Sequence, residues 1–110
     1  MIMAISDKYL DYIIDQLSMF GEVETKRMFG GIGIFREGTM FAMIGKDRFR
    51  MRADDQNRGD YESYGMKAFM STAKKKGLPY FEVPVEILEH KDLLTKWASE
   101  SYYAALRGKK

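Results

Sequence analysis

Apolar positions near the N-terminus recur at helical spacing. Leu10, Ile13, Ile14 and Leu17 form one stripe, while Asp11, Asp15 and Gln16 fall on the other faces. Ser6 is placed to cap this helix, Asp7 lies in its first turn, and Gly21 sits where a closing glycine belongs. The pattern predicts one amphipathic helix of about three or four turns. The period then changes. Short apolar runs at 23–28, 32–36, 39–44 and 48–53 are separated by Gly30-Gly31, Glu37-Gly38 and Gly45-Lys46-Asp47. They predict four strands in an antiparallel meander. A polar loop at 54–57 precedes a short helix over 58–64, ended by Gly65, and a strand over 67–72. Lys74-Lys75-Lys76-Gly77 reads as an exposed basic loop, and 80–83 as a last strand ended by Pro84. A turn at 85–88 leads into a long helix over 91–107 with Leu94, Trp97, Ala98, Ser101 and Ala105 as its core stripe.

Helices and strands do not alternate one for one. The fold class is therefore α+β: an antiparallel sheet of about five or six strands flanked by N- and C-terminal helices that cover the same face. The chain of 110 residues fits a single domain, with 107–110 as a loose basic tail. Hydrophobic residues at 45% suffice for a core without staples. The absence of cysteine excludes disulfides and thiolate metal sites, and fits a reducing cytoplasm. No apolar run approaches the roughly 18 residues of a membrane span, and the N-terminus lacks a signal-peptide pattern. The expected location is cytoplasmic. A net charge of +2 is too mild to argue for nucleic acid by itself.

The run Arg27-Met28-Phe29-Gly30-Gly31-Ile32-Gly33-Ile34-Phe35 suggests a phosphate cradle. Such a cradle needs a helix N-terminus, and a dinucleotide motif needs a third glycine at fixed spacing. Here Gly31-Ile32-Gly33 is followed by Ile34-Phe35-Arg36, and the segment alternates as a strand. The glycines are better read as structural. Gly30-Gly31 would supply positive φ at a turn or bulge, and Gly33 would let a helix pack close to the sheet. Arg27 is not needed to make the turn, so it is a candidate binding residue, with a salt bridge to a neighbouring acid as the alternative.

The same residues carry a resemblance. Arg27-Met28-Phe29-Gly30-Gly31, then Met40-Phe41-Ala42, Arg52-Ala53-Asp54, Tyr80-Phe81-Glu82-Val83-Pro84 and Leu93, Leu94, Trp97, Ala98, Ala104-Ala105 resemble the N-terminal domain of the TfoX/Sxy family of bacterial competence regulators. The likeness runs over nearly the whole chain. It implies a small α+β fold similar in layout to secretion chaperones. It also implies a regulator of DNA-uptake genes acting alongside the cyclic-AMP receptor protein, without enzymatic activity. Full-length competence regulators carry a further, helical domain after the part resembled. The family supplies no catalytic residues.

Other constellations bear on partners. In a strand, Arg48, Arg50 and Arg52 share one face and Phe49, Met51 and Ala53 the other. The three arginines form either a basic platform for phosphate or an acidic protein surface, or a solvated row paired with glutamates such as Glu24 or Glu37. Lys74, Lys75 and Lys76 are candidates for phosphate contact or serve only solubility. Tyr80 and Phe81 would stack bases if exposed; Pro79 and Pro84 frame them as a strand, so at most one of them faces the core side. The run Met40-Phe41-Ala42-Met43-Ile44 is apolar on both faces, and nine methionines suit an adaptable contact surface, so a homodimer through the sheet is one expectation. A partner from the transcription machinery, or a regulator of it, is the leading expectation, with direct nucleic-acid binding as the alternative. No cofactor or metal is implied. His90 is the only histidine. Asp54-Asp55 reads as a turn or cap, with an acid-only metal site from Asp54, Asp55 and Asp60 as a weak alternative.

Overall fold

The computed structural model describes residues 7–28, 30–45, 48–66, 68–71 and 76–108, excluding the side chains of 7, 68–71 and 76–78. Ser6, Phe29, Lys74 and Lys75 lie outside the described residues. The chain runs α1 (Asp7–Gln16), β1 (Glu24–Met28), β2 (Gly31–Arg36), β3 (Thr39–Gly45), β4 (Arg48–Arg52), α2 (Arg58–Ser63), β5 (Ala68–Ser71), β6 (Lys76–Glu82), α3 (Val85–Leu88) and α4 (Lys91–Arg107). All six strands join one sheet in the order β1-β2-β3-β4-β6-β5, every pair antiparallel. This is the expected α+β architecture.

The hairpin between β2 and β3 shows how local chemistry sets the register. Glu37 and Gly38 both take positive φ, 50° and 81°, so Arg36 pairs directly with Thr39 across a two-residue turn. Further along, Ile34 pairs with Ala42 but Phe35 pairs with Met40, leaving Phe41 as an extra residue in a bulge. Phe41 and Ala42 are consequently both buried. The bulge lets one strand send two consecutive side chains into the core.

Ile32, Ile34, Ala42, Ile44, Phe49, Met51 and Phe81 are joined by register on one face and are all buried. α4 packs across β3 and β4 on this face. Its stripe of Leu94, Trp97, Ala98, Ser101 and Ala105 is buried as the periodicity predicted. Phe41 meets Phe20 and Tyr102 with ring centroids 5.0 and 6.4 Å apart. Tyr61 of α2 stacks on Phe81 and meets Trp97 edge-on. Its hydroxyl pairs with Ser101 at 2.9 Å, which satisfies two buried polar groups at once. Burial pushes the Tyr61 phenol well above its usual value. Gln16 donates to the Leu88 carbonyl at 2.8 Å and ties α1 to α3.

Several boundaries differ from expectation. α1 stops at Gln16, and 3₁₀-like turns through Phe20 carry the chain to Gly21, where φ is 125°. β6 begins at Lys76 rather than after Pro79. The pairing of β5 with β6 slips between Ala68 and Phe69, so Pro79 falls at an irregularity where its missing N–H costs no ladder bond. Lys76 is thus the first residue of a strand rather than part of a loop. Arg107, read both as the end of the 91–107 helix and as the start of a loose tail, is the last residue of α4, and its guanidinium grips both oxygens of Asp54 at 2.6 and 2.9 Å.

Candidate interaction surface

The opposite face of the sheet is built by the alternate positions of the same strands. Register places Lys26, Gly33, Met43, Arg50 and Glu82 in one line across β1, β2, β3, β4 and β6. The neighbouring lines hold Glu24, Phe35 and Met40 on one side, and Met28 and Gly31 on the other. Met28, Phe35, Met40 and Met43 are half-buried. None of them belongs to the core cluster or the side chains packed on it.

Gly33 lies at the centre of this face, and here the structure corrects the sequence reading. It does not admit a helix, because the helices pack on the other side. A β-carbon at Gly33 would stand 2.8 Å from the Met28 sulfur, 3.0 Å from the Phe35 ring and 3.2 Å from the Met40 sulfur. The three side chains close over a patch of bare backbone. Gly31 is corrected as well. Gly30 has φ of 77°, but Gly31 does not take positive φ. Its β-carbon would strike the Ile44 carbonyl oxygen at 2.6 Å, so glycine is needed there for the close approach of β3.

The arginine row alternates as predicted but does not form a uniform platform. Arg48 donates to Glu82 at 3.0 Å, so the counter-ion is neither Glu24 nor Glu37. Arg50 donates to the Gly45 carbonyl at 3.4 Å. Burial lowers the pKa of its guanidinium, an effect opposed by the charge of Glu82 and reinforced by that of Arg48. Arg52 lies over the Tyr80 ring at 5.9 Å and presses against Gly108 at the end of α4. Its Nε is buried with no partner among the described residues. Arg48 and Arg50 therefore face the methionine patch, while Arg52 turns toward the helix terminus.

The remaining sequence candidates scatter. Arg27 stands exposed on edge strand β1, opposite Ile32 and on the helix side of the sheet. Lys74 and Lys75 are outside the described residues, and only the backbone of Lys76 is placed. Phe81 is in the core and Tyr80 is 9% exposed, so neither offers a ring for base stacking. His90 is exposed at the start of α4, with Nδ1 2.7 Å from the Glu86 carbonyl. Asp54 and Asp55 point apart. The first accepts from Gln56 N–H and Arg107, and the second pairs with Arg58 at 3.3 Å. Among the described residues no three acidic or histidine side chains gather as a metal site. An open groove of about 770 Å³ beside β1 is lined by Ile14, Val23, Arg36 and three carboxylates, Glu22, Glu24 and Glu37. Sequence reasoning missed the methionine patch as a unit. The signal was present, since Met28, Gly33, Met40 and Met43 share strand parity once the bulge is counted.

One face packed by helices and the other left to methionine, glycine and arginine define an α+β domain with an open-faced antiparallel sheet. The TfoX N-terminal domain is the family whose pattern matches, over residues 15–105, and the chain belongs to that family. A comparison with curated proteins returned no match. No helix among the described residues is long and apolar enough to cross a membrane.

Proposed function

We propose that this protein is a non-enzymatic interaction module that serves regulation of competence for DNA transformation, and that it contacts a protein of the transcription apparatus through its open sheet face. The observation that carries this reading is the half-buried patch of Met28, Phe35, Met40 and Met43 beside Arg48 and Arg50. Flexible thioethers adapt to more than one partner shape, and a bordering charge gives direction to the encounter. Membership of the TfoX N-terminal domain family supplies the regulatory context. The test is capture of a regulator or polymerase subunit from competent cells by the parent protein and by Met43→Asp. Loss of capture by a folded Met43→Asp protein supports the face as the contact. Undiminished capture excludes it.

Direct nucleic-acid binding is the second reading, favoured by Arg48, Arg50 and Arg52 sharing strand parity. It predicts a salt-dependent retardation of DNA that disappears when all three become serine. No retardation at low salt removes it.

A further inference from the structure

β1 is an edge of the sheet. It pairs with β2 on one side, and its other row of backbone N–H and C=O groups meets no strand among the described residues. Glu24, Thr25, Lys26 and Arg27 are all exposed, so the helix layer does not overhang this edge. Among the described residues neither Glu24 nor Lys26 makes an ion pair. Both leave the strand on the open side, in line with Phe35 and Gly33 of β2. Charges on an edge usually bar pairing with another chain. Here their order bars some registers and favours one. A two-fold axis joining two antiparallel edge strands stands perpendicular to the sheet. It keeps each face on its own side, so its centre falls on a residue rather than between two. Centred on Glu24, Lys26 or Arg27, that residue opposes its own copy, like charge on like. Centred on Met28, every other residue of β1 faces positions beyond the strand. Centred on Thr25, the two threonines meet, and Glu24 of each copy stands directly opposite Lys26 of the other.

We propose that β1 is the pairing edge for a second copy of this chain, joined antiparallel about Thr25 so that the two sheets become one, with reciprocal Glu24–Lys26 pairs setting the register. The groove beside β1 fits this arrangement. In that register Arg27 of the second copy comes opposite Val23 on the helix side, and Val23 lines the groove together with Ile14, Glu22, Glu24 and Glu37. An arginine stem can lie on the apolar residues there while its head meets carboxylates. Arg36, the groove's own cation, is already engaged over the rings of Phe20 and Tyr102. A uniformly basic strand from another protein would match Glu24 but oppose Lys26, and a uniformly acidic one would do the reverse. Nucleic acid would bring phosphate to the three carboxylates. The alternation of sign is matched by its own antiparallel copy. This pairing is independent of the reading of the open face as a contact surface. It leaves both open faces uncovered and on the same side of the joined sheet.

The test is sedimentation of the full chain over a concentration series. A short edge buries little area, so a weak dimer is expected, its fraction rising with concentration. Glu24→Lys and Lys26→Glu each set like charges against one another at both pairs, and each is expected to weaken association by roughly tenfold. Mixing the two single variants makes every pair opposite in sign again and is expected to give a heterodimer. The double variant, Glu24→Lys with Lys26→Glu, is expected to associate as the parent does. Both positions are exposed, and thermal unfolding confirms that each variant is folded. Hydrogen exchange on the parent chain needs no variant: amides of β1 are expected to exchange more slowly as the concentration rises. A monomer at every concentration would overturn the proposal. So would a dimer unaffected by Glu24→Lys, which would put the axis elsewhere. A dimer abolished by Met43→Asp but not by Lys26→Glu would also overturn it, in favour of pairing through the open face.

Discussion

The two faces of one sheet are fixed by different means. On the helix side, Phe41 is 0% exposed and is held by rings from two other segments. On the open side, Met43, two residues along the same strand, is half-buried and rests on a line of glycine and charge. The first face has its shape imposed by close packing. The second keeps side chains that can rearrange at little cost. Stability therefore rests on one side of the backbone and the proposed contact surface lies on the other, and a substitution on one side is expected to disturb the other only weakly.

Substitutions within β3 test that contrast most directly. Phe41→Ala should lose about 3–5 kcal/mol in denaturant unfolding. Met43→Ala should lose only about 1 kcal/mol, since a half-buried side chain has less surface to return to water. Similar losses from the two would mean that the faces do not differ. A smaller effect is expected at the polar pair inside the helix layer. Tyr61→Phe leaves the buried Ser101 hydroxyl without its partner and should cost about 1–3 kcal/mol. The double change with Ser101→Ala should recover part of that loss, whereas strict additivity would mean that the two groups do not interact.

The hairpin that feeds both faces offers a change in the opposite direction. Glu37 occupies positive φ at the first position of a turn that favours asparagine. Glu37→Asn should stabilise by about 0.5–1 kcal/mol, read as a rise in the unfolding midpoint. The smallest effects concern two carboxylates at the end of the helix layer, and they have opposite signs. The hydrogen bond from Arg107 holds Asp54 below its usual value. Its contribution is complete above the unfolded value and is lost as the pH falls through the lower folded one. The stability gap between the parent and Asp54→Asn should therefore begin to close below about pH 4. Glu100 is raised, first by burial and then by the charge of Asp60. Its ionised form opposes folding above the raised value. Glu100→Gln should be the more stable protein at neutral pH, with the advantage fading as the pH falls toward about 4. A pH series of melts on both variants checks the two signs together.

The element order was legible in the chain because each element has its own period and its own punctuation. The α4 stripe, the Glu37-Gly38 turn and the arginine alternation in β4 all followed from spacing alone. The start of β6 did not, because a proline inside a strand reads as a boundary until the partner strand's irregularity is known. The divergence of the arginine heads was also hidden. Parity says which face a side chain leaves from, but Glu82, Gly45 and Gly108 are 34, 5 and 56 positions from the arginines they meet.

By itself, the sequence determined the α+β class, the helix and strand order and the membership of the TfoX N-terminal domain family, because periodicity, turn residues and family motifs are local properties of the chain. Only the tertiary structure decided what Gly33 is for. One extra residue at Phe41 sets which side chains of β2 and β3 face the helices, and the sheet order then brings Met28 and Met40 together over a glycine that sequence alone had assigned to the opposite face. Which face a strand position occupies depends on its partners across the sheet, and those contacts are not encoded within the strand.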